Sequence, residues 1–155
     1  MSTDPQIEIQ TATSQIASQL GIPEGSQVIC RHQRRYIDGT PWSVQTSFYP
    51  MDFVLRGAER LIQADDIAVG TVKYLADTLG LRQVGYRDWI TVRTPDWTEA
   101  SFFNLPPDGR VAVCEIFRTA YDQNGRPMRL TVTILPADRN QFIVNVGDVP
   151  ETPPA

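Results

Sequence analysis

Two stretches of the chain alternate apolar and polar positions in the same way, and each stretch predicts a β-hairpin. The first hairpin is predicted over residues 28–36 and 42–49, and the second over residues 111–121 and 128–135. Successive side chains of a strand point to opposite faces, so this alternation is typical of strands with one buried face. The pattern therefore predicts a sheet built mainly from hairpins.

Identical residues recur at matching places in the two hairpins, which indicates an internal duplication. The turns are alike, since Asp38-Gly39 and Asn124-Gly125 are both pairs that tolerate positive φ and suit a two-residue turn. The matched residues are, at an offset of 84, Gly25, Cys30, Arg34 and Asp38 with Gly109, Cys114, Arg118 and Asp122, and, at an offset of 86, Gly39, Pro41, Pro50 and Asp52 with Gly125, Pro127, Pro136 and Asp138. Two copies are too few for a solenoid of stacked short repeats. The chain is predicted to be one duplicated domain.

A short amphipathic helix is predicted before each hairpin. Residues 12–20 carry an apolar stripe, with Thr11 or Thr13 as the cap and Gly21 in the left-handed position after the last turn. Ahead of the second hairpin, Asp96 has the spacing to Glu99 that a capping box requires. The duplicated unit is thus a helix followed by a hairpin.

The segment between the hairpins predicts two more helices and a strand. Apolar spacing favours one helix over residues 54–62 capped by Asp52, and another from Gly70-Thr71 to Leu79. Residues 83–93 alternate like a half-buried strand, and residues 142–146 predict a last strand.

These elements predict an α+β fold with a mostly antiparallel sheet and helices covering its faces. We expect residues 1–11 to form an N-terminal linker, residues 12–149 to form the domain, and the proline-containing residues 150–155 to be a disordered tail.

Composition limits the classes of function that need to be considered. A formal charge of -4 and a pI near 4.9 argue against direct binding of a nucleic-acid backbone, which needs clustered Lys and Arg. No apolar run reaches the 18 or more residues of a membrane span, and the first residues lack a signal-peptide pattern. We therefore expect a cytoplasmic protein without membrane contact.

The cysteine and histidine content gives no metal signature. Cys30 and Cys114 are predicted to be buried thiols, although their matching positions leave a disulfide open as the less favoured alternative. His32 is the only histidine, and no Cys-x-x-Cys or His-x-x-x-His spacing occurs. We expect neither a metal nor another cofactor, and a packed role for His32.

Polar side chains are predicted to share one face of each hairpin. They are Arg31, Gln33, Arg35, Ser43, Gln45 and Ser47 in the first copy, and Glu115, Thr119, Arg129, Thr131 and Thr133 in the second. One interpretation is a solvated sheet face with weak cross-strand pairs. The other is a cleft under the helices in which guanidinium groups bind an anionic ligand, with free backbone N–H groups at Gly70-Thr71 as a second anion-binding element.

Two other charged stretches have ordinary explanations. The basic run 31–35 sends its charges to opposite faces of a strand, so it does not form a nucleic-acid patch. Asp65-Asp66 is better explained as a solvated loop or helix cap than as a general acid/base pair.

The order and spacing of several motifs resemble the UTRA domain, the effector-sensing part of GntR-type transcription regulators of the HutC subfamily. The motifs are Arg35-Tyr36-Ile37-Asp38-Gly39-Thr40-Pro41, Ser47-Phe48-Tyr49-Pro50, Ile67-Ala68-Val69-Gly70-Thr71, Phe117-Arg118-Thr119-Ala120-Tyr121-Asp122, Gly125-Arg126-Pro127 and Asp138-Arg139. The resemblance implies a chorismate-lyase-like fold, a small-molecule pocket and a homodimer. It also implies that DNA is bound only through a winged helix-turn-helix domain, which this chain lacks.

The resemblance also suggests which residues bind the effector. Its ligand arginine and its polar partner on the returning strand match Arg35 and Gln45, but family members often have arginine where Gln33 stands and glutamate where Gln45 stands. These departures favour a weak acid or an uncharged polar ligand over a sugar phosphate. The full predicted set of ligand-binding residues is Arg31, Arg35, Gln45, Ser47, Gly70, Thr71, Glu115, Arg118, Arg129 and Thr131.

Three hypotheses follow from the sequence. The first is an effector-sensing module without catalytic residues. The second is an enzyme like chorismate lyase, acting on a small aromatic carboxylate through Arg31, Arg35 and Arg118. The third is a scaffold domain whose polar sheet face is open to water.

Overall fold

A computed structural model describes residues 1–151, which form a six-stranded antiparallel sheet in the order β1-β2-β3-β6-β5-β4 with short helices on both faces. In chain order the elements are β1 Gln6–Thr11, α1 Ser14–Leu20, β2 Gln27–Ile37, β3 Thr40–Pro50, α2 Met51–Leu55, a 3-10 helix Glu59–Ile62, α3 Thr71–Leu79, β4 Gln83–Arg93, α4 Trp97–Phe103, β5 Val113–Asp122 and β6 Pro127–Pro136. The predicted α+β class and both hairpins are confirmed. No helix among the described residues is long and apolar enough to cross a membrane.

The duplication extends further than the sequence suggested. Each half of the sheet consists of a strand, a helix and a hairpin, β1-α1-β2-β3 and β4-α4-β5-β6, and the halves meet where β3 pairs with β6. Thr46 pairs with Val132, its equivalent at an offset of 86, so a pseudo-twofold axis passes through this pair. We refer to these as the first half and the second half.

The N-terminal segment is a strand where a linker was predicted. β1 pairs antiparallel with β2, with Ile9 opposite Ile29, and Ile7 packs against the core. The alternation of Ile7 and Ile9 with Gln and Glu is itself a strand pattern, and β2 offers it a free edge. β1 occupies the same place in the first half as β4 does in the second.

The sheet has two faces that differ in how they are covered. The packing face, which carries Val28, Phe48 and Leu130, is covered by α1 and α4. The groove face, which carries Arg31, Gln45, Thr131 and Arg118, is covered by α2, the 3-10 helix and α3 only at the end where Ile29 and Tyr49 lie. The rest of the groove face lacks a helical layer among the described residues.

The predicted helix over residues 54–62 is wrong in detail. α2 ends at Leu55 because Gly57 has a φ of 119°, and a 3-10 helix follows. Asp52 does not cap α2, since Pro50 is at the N-cap position without a side-chain hydrogen bond. α3 and its left-handed Gly80 end are as predicted.

Caps and turns agree with the sequence in most places. Thr13 accepts from the backbone N–H of Ile16, and Asp96 with Glu99 forms the predicted capping box. The first hairpin turn is the expected pair with positive φ at Asp38 and Gly39. The second differs, because only Gly125 of its pair has positive φ and the connection is longer.

Both cysteines are buried and free, as predicted. Cys30 lies opposite Phe48 on the packing face. Cys114 lies on the groove face, as does Arg118 four residues later on β5. The two thiols therefore project from opposite faces of the sheet. Burial raises the pKa of the Cys30 thiol.

The predicted last strand is wrong, since residues 142–146 form no strand. β6 is already paired on both edges, with β3 and β5, so the segment that follows it has no neighbouring edge to join. The predicted tail 150–155 lies mostly outside the described residues, which end at 151.

Candidate functional site

The centre of the groove face is polar, where a sheet interior is usually apolar. The Ser47 Oγ and Thr131 Oγ1 atoms lie 3.1 Å apart in a buried hydrogen bond between β3 and β6. Gln45 and Thr133 form the neighbouring cross-strand pair. Buried hydroxyl groups are costly unless they are hydrogen bonded, so this floor is held together by its own pairing.

Arg118 borders this floor on β5 and is fixed by two neighbours on β4. Its Nε and Nη2 donate to the two carboxylate oxygens of Asp88 at 2.8 and 2.9 Å. Its guanidinium also stacks over the ring of Tyr86, 3.7 Å from the centroid. The hydrogen-bonded Asp88 carboxylate raises the pKa of Arg118, which keeps its positive charge oriented in the site.

A second arginine borders the floor on β6. Arg129 donates from Nη2 to Gln83 Oε1 at 3.0 Å, and its register partner on β5 is Ala120. Together these groups enclose a cavity of about 180 Å³ lined by Gln45, Ile116, Arg118, Arg129, Thr131 and Thr133. A volume of this size corresponds to roughly six waters, enough for a small polar molecule or for one end of a larger one.

Arg31 lies on the same face but is engaged by the protein itself. Its Nη1 donates to the carbonyl oxygens of Arg60, Leu61 and Gln63 at 3.2, 2.7 and 3.0 Å, and its Nη2 to that of Asp65 at 3.1 Å. Burial lowers the pKa of this guanidinium. Arg31 therefore holds the 3-10 helix and the loop after it against the sheet.

The structure brings together part of the predicted site. Gln45, Arg118, Arg129 and Thr131 line the cavity, and Ser47 supports it through Thr131. Arg35 lies on the same face but is exposed, beyond the lining. Gly70 and Thr71 are at the start of α3, and they too are outside the lining that the described residues give this cavity.

Glu115 is on the opposite face, so its predicted place beside Arg129 is wrong. It accepts from Arg93 at 2.9 Å within an ion-pair cluster that also contains Glu99. Thr119 is likewise on the packing face, where it donates to Gln19. The reason is a difference in register between the two hairpins. The β-bulges at Arg35/Tyr36 and Ala120/Tyr121 are 85 residues apart, so residues of β2 and β5 are equivalent at an offset of 85 and not at the 84 given by the identical residues. A one-residue slip moves every side chain of a strand to the other face.

Comparison with known proteins is consistent with this architecture. The sequence model of the UTRA domain matches residues 6–141. The chain belongs to the UTRA domain family.

Two solved structures show how closely the fold of this UTRA domain is shared. A GntR-family transcriptional regulator from Enterococcus faecalis superposes with a TM-score of 0.79 at 15% identity, covering 94% of this chain and 100% of that one. The effector domain of PhnF from Mycobacterium smegmatis gives a TM-score of 0.76 at 18% identity, covering 95% of this chain and 89% of that one. These likenesses confirm the predicted chorismate-lyase-like fold.

Among curated proteins, an uncharacterised HTH-type transcriptional regulator of Rhizobium meliloti is 29% identical over 128 residues. The match covers 83% of the UTRA domain chain and 50% of the relative, so the chain spans about half the length of that regulator. The comparisons support the effector-sensing hypothesis over the enzyme hypothesis.

Sequence reasoning missed several groups that shape the UTRA domain's cavity. Ile116 lines it, while Asp88, Tyr86 and Gln83 on β4 hold the two arginines. Thr133, which was predicted on the polar face but not in the ligand-binding set, also lines it. The alternation of β4 did put Tyr86 and Asp88 on one face, but the pairing of β4 with β5 was needed to place Arg118 beside them. That pairing is a long-range contact without a local sequence signal.

A larger cavity of about 580 Å³ lies between the end of α1, the start of α2 and the β5–β6 turn. Its polar groups are mostly committed to local structure. Asp122 accepts from the backbone N–H groups of Asn124 and Arg126 at 2.8 and 3.0 Å, and Asp52 pairs with Arg56 at 3.5 Å. The groove face therefore offers more convergent polar chemistry than this larger cavity.

Proposed function

We propose that this domain binds a small polar or anionic metabolite on its groove face and acts as the effector-sensing part of a GntR-type transcription regulator of the HutC subfamily. The observation that carries the proposal is the convergence of Arg118, Arg129 and Gln45 over a hydroxyl floor on the pseudo-twofold axis. Family membership and the regulators that share the fold support it.

The charges of the groove suggest the kind of ligand. Asp88 neutralises Arg118, so Arg129 contributes the uncompensated positive charge at the cavity and Arg35 adds another at its exposed rim. A carboxylate of a small acid would accept from these guanidinium groups, while hydroxyl groups of the ligand would meet Gln45 and the threonines. A weakly acidic or polyhydroxy metabolite fits better than a phosphate.

Ligand binding would extend from the cavity toward Arg35, which pairs with Ser43 near the turn of the first hairpin. Arg35→Ala should remove a charge-assisted contact and weaken binding roughly ten- to a hundredfold, because such contacts contribute about 1.5–3 kcal/mol. Folding should be little affected, since Arg35 is exposed.

In the proposed regulator, the domain works as a cytoplasmic homodimer and DNA is bound by a winged helix-turn-helix domain of the whole protein. Occupancy of the groove would favour one arrangement of the dimer and so change the spacing of the attached DNA-binding domains. In this proposal the domain does not catalyse a reaction, because the carboxylate nearest the groove, Asp88, is bound to Arg118 and unavailable as a general acid.

The proposal is tested by screening for ligands that raise the melting temperature. Organic acids, sugars and sugar phosphates would be added to the purified chain in differential scanning fluorimetry, with chorismate included. We expect stabilisation by at least one small acid or polyol, since a bound ligand stabilises the folded state by mass action. Pyruvate release from chorismate would support the enzyme instead. No stabilisation by any compound or by an extract of the source cell would contradict the proposal.

A further inference from the structure

The outer edge of β4 is unusually apolar for a free strand edge. β4 is the last strand of the sheet and is 11 residues long. Five of its large apolar side chains are more than half exposed, namely Val84, Tyr86, Trp89, Ile90 and Val92. A long, exposed and apolar edge is a site where another strand can add, because its backbone N–H and C=O groups point outward unpaired.

The equivalent edge of the first half is protected. β1 has six residues, mostly polar, and Ile9 is its one large apolar side chain that is more than half exposed. The sheet therefore has one short, mostly polar edge strand, β1, and one long edge strand with exposed apolar side chains, β4. This asymmetry makes the β4 edge the better of the two for pairing with a further strand.

A segment with a strand-like sequence and no strand partner among the described residues occurs in the same chain, and we call it the free segment. Residues 142–146 are apolar except at Asn145, yet they form no backbone hydrogen bonds with the rest of residues 1–151. Ile143, Val144 and Val146 are 78%, 80% and 85% exposed. Phe142, Val144 and Val146 would line one face of a strand, as Tyr86, Ile90 and Val92 line one face of β4.

The segment cannot reach the β4 edge of its own chain. Arg139 and Asn140 are hydrogen bonded to the Pro41 and Trp42 carbonyls at the start of β3. β3 is separated from β4 by β6 and β5, so the position beyond β4 is about 19 Å away at the usual strand spacing. The two backbone steps from Asn140 to Phe142 span at most about 7.6 Å. The free segment and the β4 edge can therefore pair only between two copies.

We propose that residues 142–146 of one copy add to the β4 edge of a second copy as a seventh strand, and reciprocally in a twofold dimer. The main-chain groups of β4 gain partners, and the Phe142, Val144 and Val146 side chains cover the apolar stripe of β4. This inference specifies the contact of the homodimer in the proposed function.

The contact also links the groove to the dimer. Tyr86 and Asp88, which hold Arg118, are on β4 itself. A ligand that draws Arg118 away from Asp88 would shift the strand to which the second copy is joined. The edge strand is thereby the element through which occupancy reaches the partner.

The test uses the full chain with charges placed in the free segment. Val144→Asp with Val146→Asp should convert a dimer into a monomer in sedimentation velocity, and Ile90→Lys on β4 should do the same. Ile9→Asp on β1 is the matched control and should remain dimeric. All of these side chains are more than half exposed, so the variants are expected to fold.

Hydrogen exchange separates this contact from other dimers. The outward amides of β4 should be protected in the wild-type dimer and lose protection in the Val144→Asp, Val146→Asp variant. If both the Val144→Asp, Val146→Asp variant and the Ile90→Lys variant remain dimeric, the chain dimerises through another contact and the inference is wrong. If the β4 amides are protected in a monomer, residues 142–146 pair within one chain and the inference is also wrong. A wild-type chain that stays monomeric at about 100 μM would also overturn it. Ligand stabilisation in fluorimetry is read separately, so loss of the dimer is distinguishable from loss of effector binding.

Discussion

The two halves of the sheet share a scaffold but supply different chemistry to the groove. The pseudo-twofold axis relates Gln33 of the first half to Arg118 of the second half, and Ser43 of the first half to Arg129 of the second half. The second half therefore provides the two arginines at the cavity, while the first half provides the amide of Gln45 and a helical cover. The difference shows how a duplicated and nearly symmetric fold can form an asymmetric binding site.

The helical cover is the largest structural difference between the halves. α2, the 3-10 helix and α3 follow the first hairpin, and Leu61 is fully buried among them. We expect Leu61→Ala to lower the free energy of unfolding by about 2–5 kcal/mol, because it leaves a cavity in the core. Urea denaturation measures this. Ile62→Ala, at the exposed neighbouring position, is the control, and equal losses for both variants would contradict the packing described.

Arg31 gives a second contrast, because its equivalent in the second half is Ile116. Arg31→Leu introduces an apolar side chain, as in the second half, and leaves four loop carbonyls without their donor. We expect a loss of about 1–3 kcal/mol of stability and faster hydrogen exchange over residues 60–66, since unsatisfied buried groups are costly. Unchanged exchange in that loop would show that Arg31 does not hold it. Arg35→Leu, on the same strand and exposed, should leave the loop unaffected.

Exchanging equivalent residues between the halves tests whether Arg118 binds the ligand. Arg118→Gln gives the second half the residue of the first and should weaken binding of an anionic ligand about tenfold, while Gln33→Arg should strengthen it. Isothermal titration with the most stabilising compound of the fluorimetric screen measures both. If Arg118→Gln binds as the wild type does, the ligand does not use Arg118.

The smallest expected effect is on acid stability. Arg93 hydrogen bonds lower the pKa of Glu99 below its ordinary value, so the carboxylate stabilises the fold above the pKa of the unfolded chain. This stability is lost as the pH falls below the ordinary glutamate pKa and through the lower pKa of the folded carboxylate. Glu99→Gln should cost about 1 kcal/mol at pH 7 and flatten the acid limb of urea denaturation. Asp77→Asn, in an exposed pair with Lys73, should leave that limb unchanged.

Local signals in the sequence predicted most of the fold. The turn at Asp38-Gly39, the capping box of Asp96 and the left-handed end at Gly21 depend on neighbouring residues, and all three are confirmed. The strand at Gln83–Arg93 also has the predicted bounds, but it is an exposed edge where a half-buried strand was expected. Burial depends on the order of strands in the sheet, which local pattern does not contain.

The site was less accessible from sequence because it depends on register. Matching identical residues at an offset of 84 put Glu115 on the wrong face, whereas four members of the predicted set, Gln45, Arg118, Arg129 and Thr131, line one cavity. The sequence-based hypothesis assigned Arg31 to ligand binding. In the structure its guanidinium N–H groups donate to backbone carbonyls of the 3-10 helix and the loop after it. Which of the predicted residues bind an effector stays a prediction.

The most direct test of the groove is the affinity of the Arg129→Ser variant, which carries the residue of the first half, Ser43. Isothermal titration with the most stabilising compound should give a dissociation constant roughly ten- to a hundredfold higher than the wild type, with an unchanged melting temperature without ligand. Arg126→Ala, which alters the larger cavity near the β5–β6 turn, should bind as the wild type does. Unaltered binding by Arg129→Ser together with lost binding by Arg126→Ala would contradict the account and place the effector at the other end of the domain.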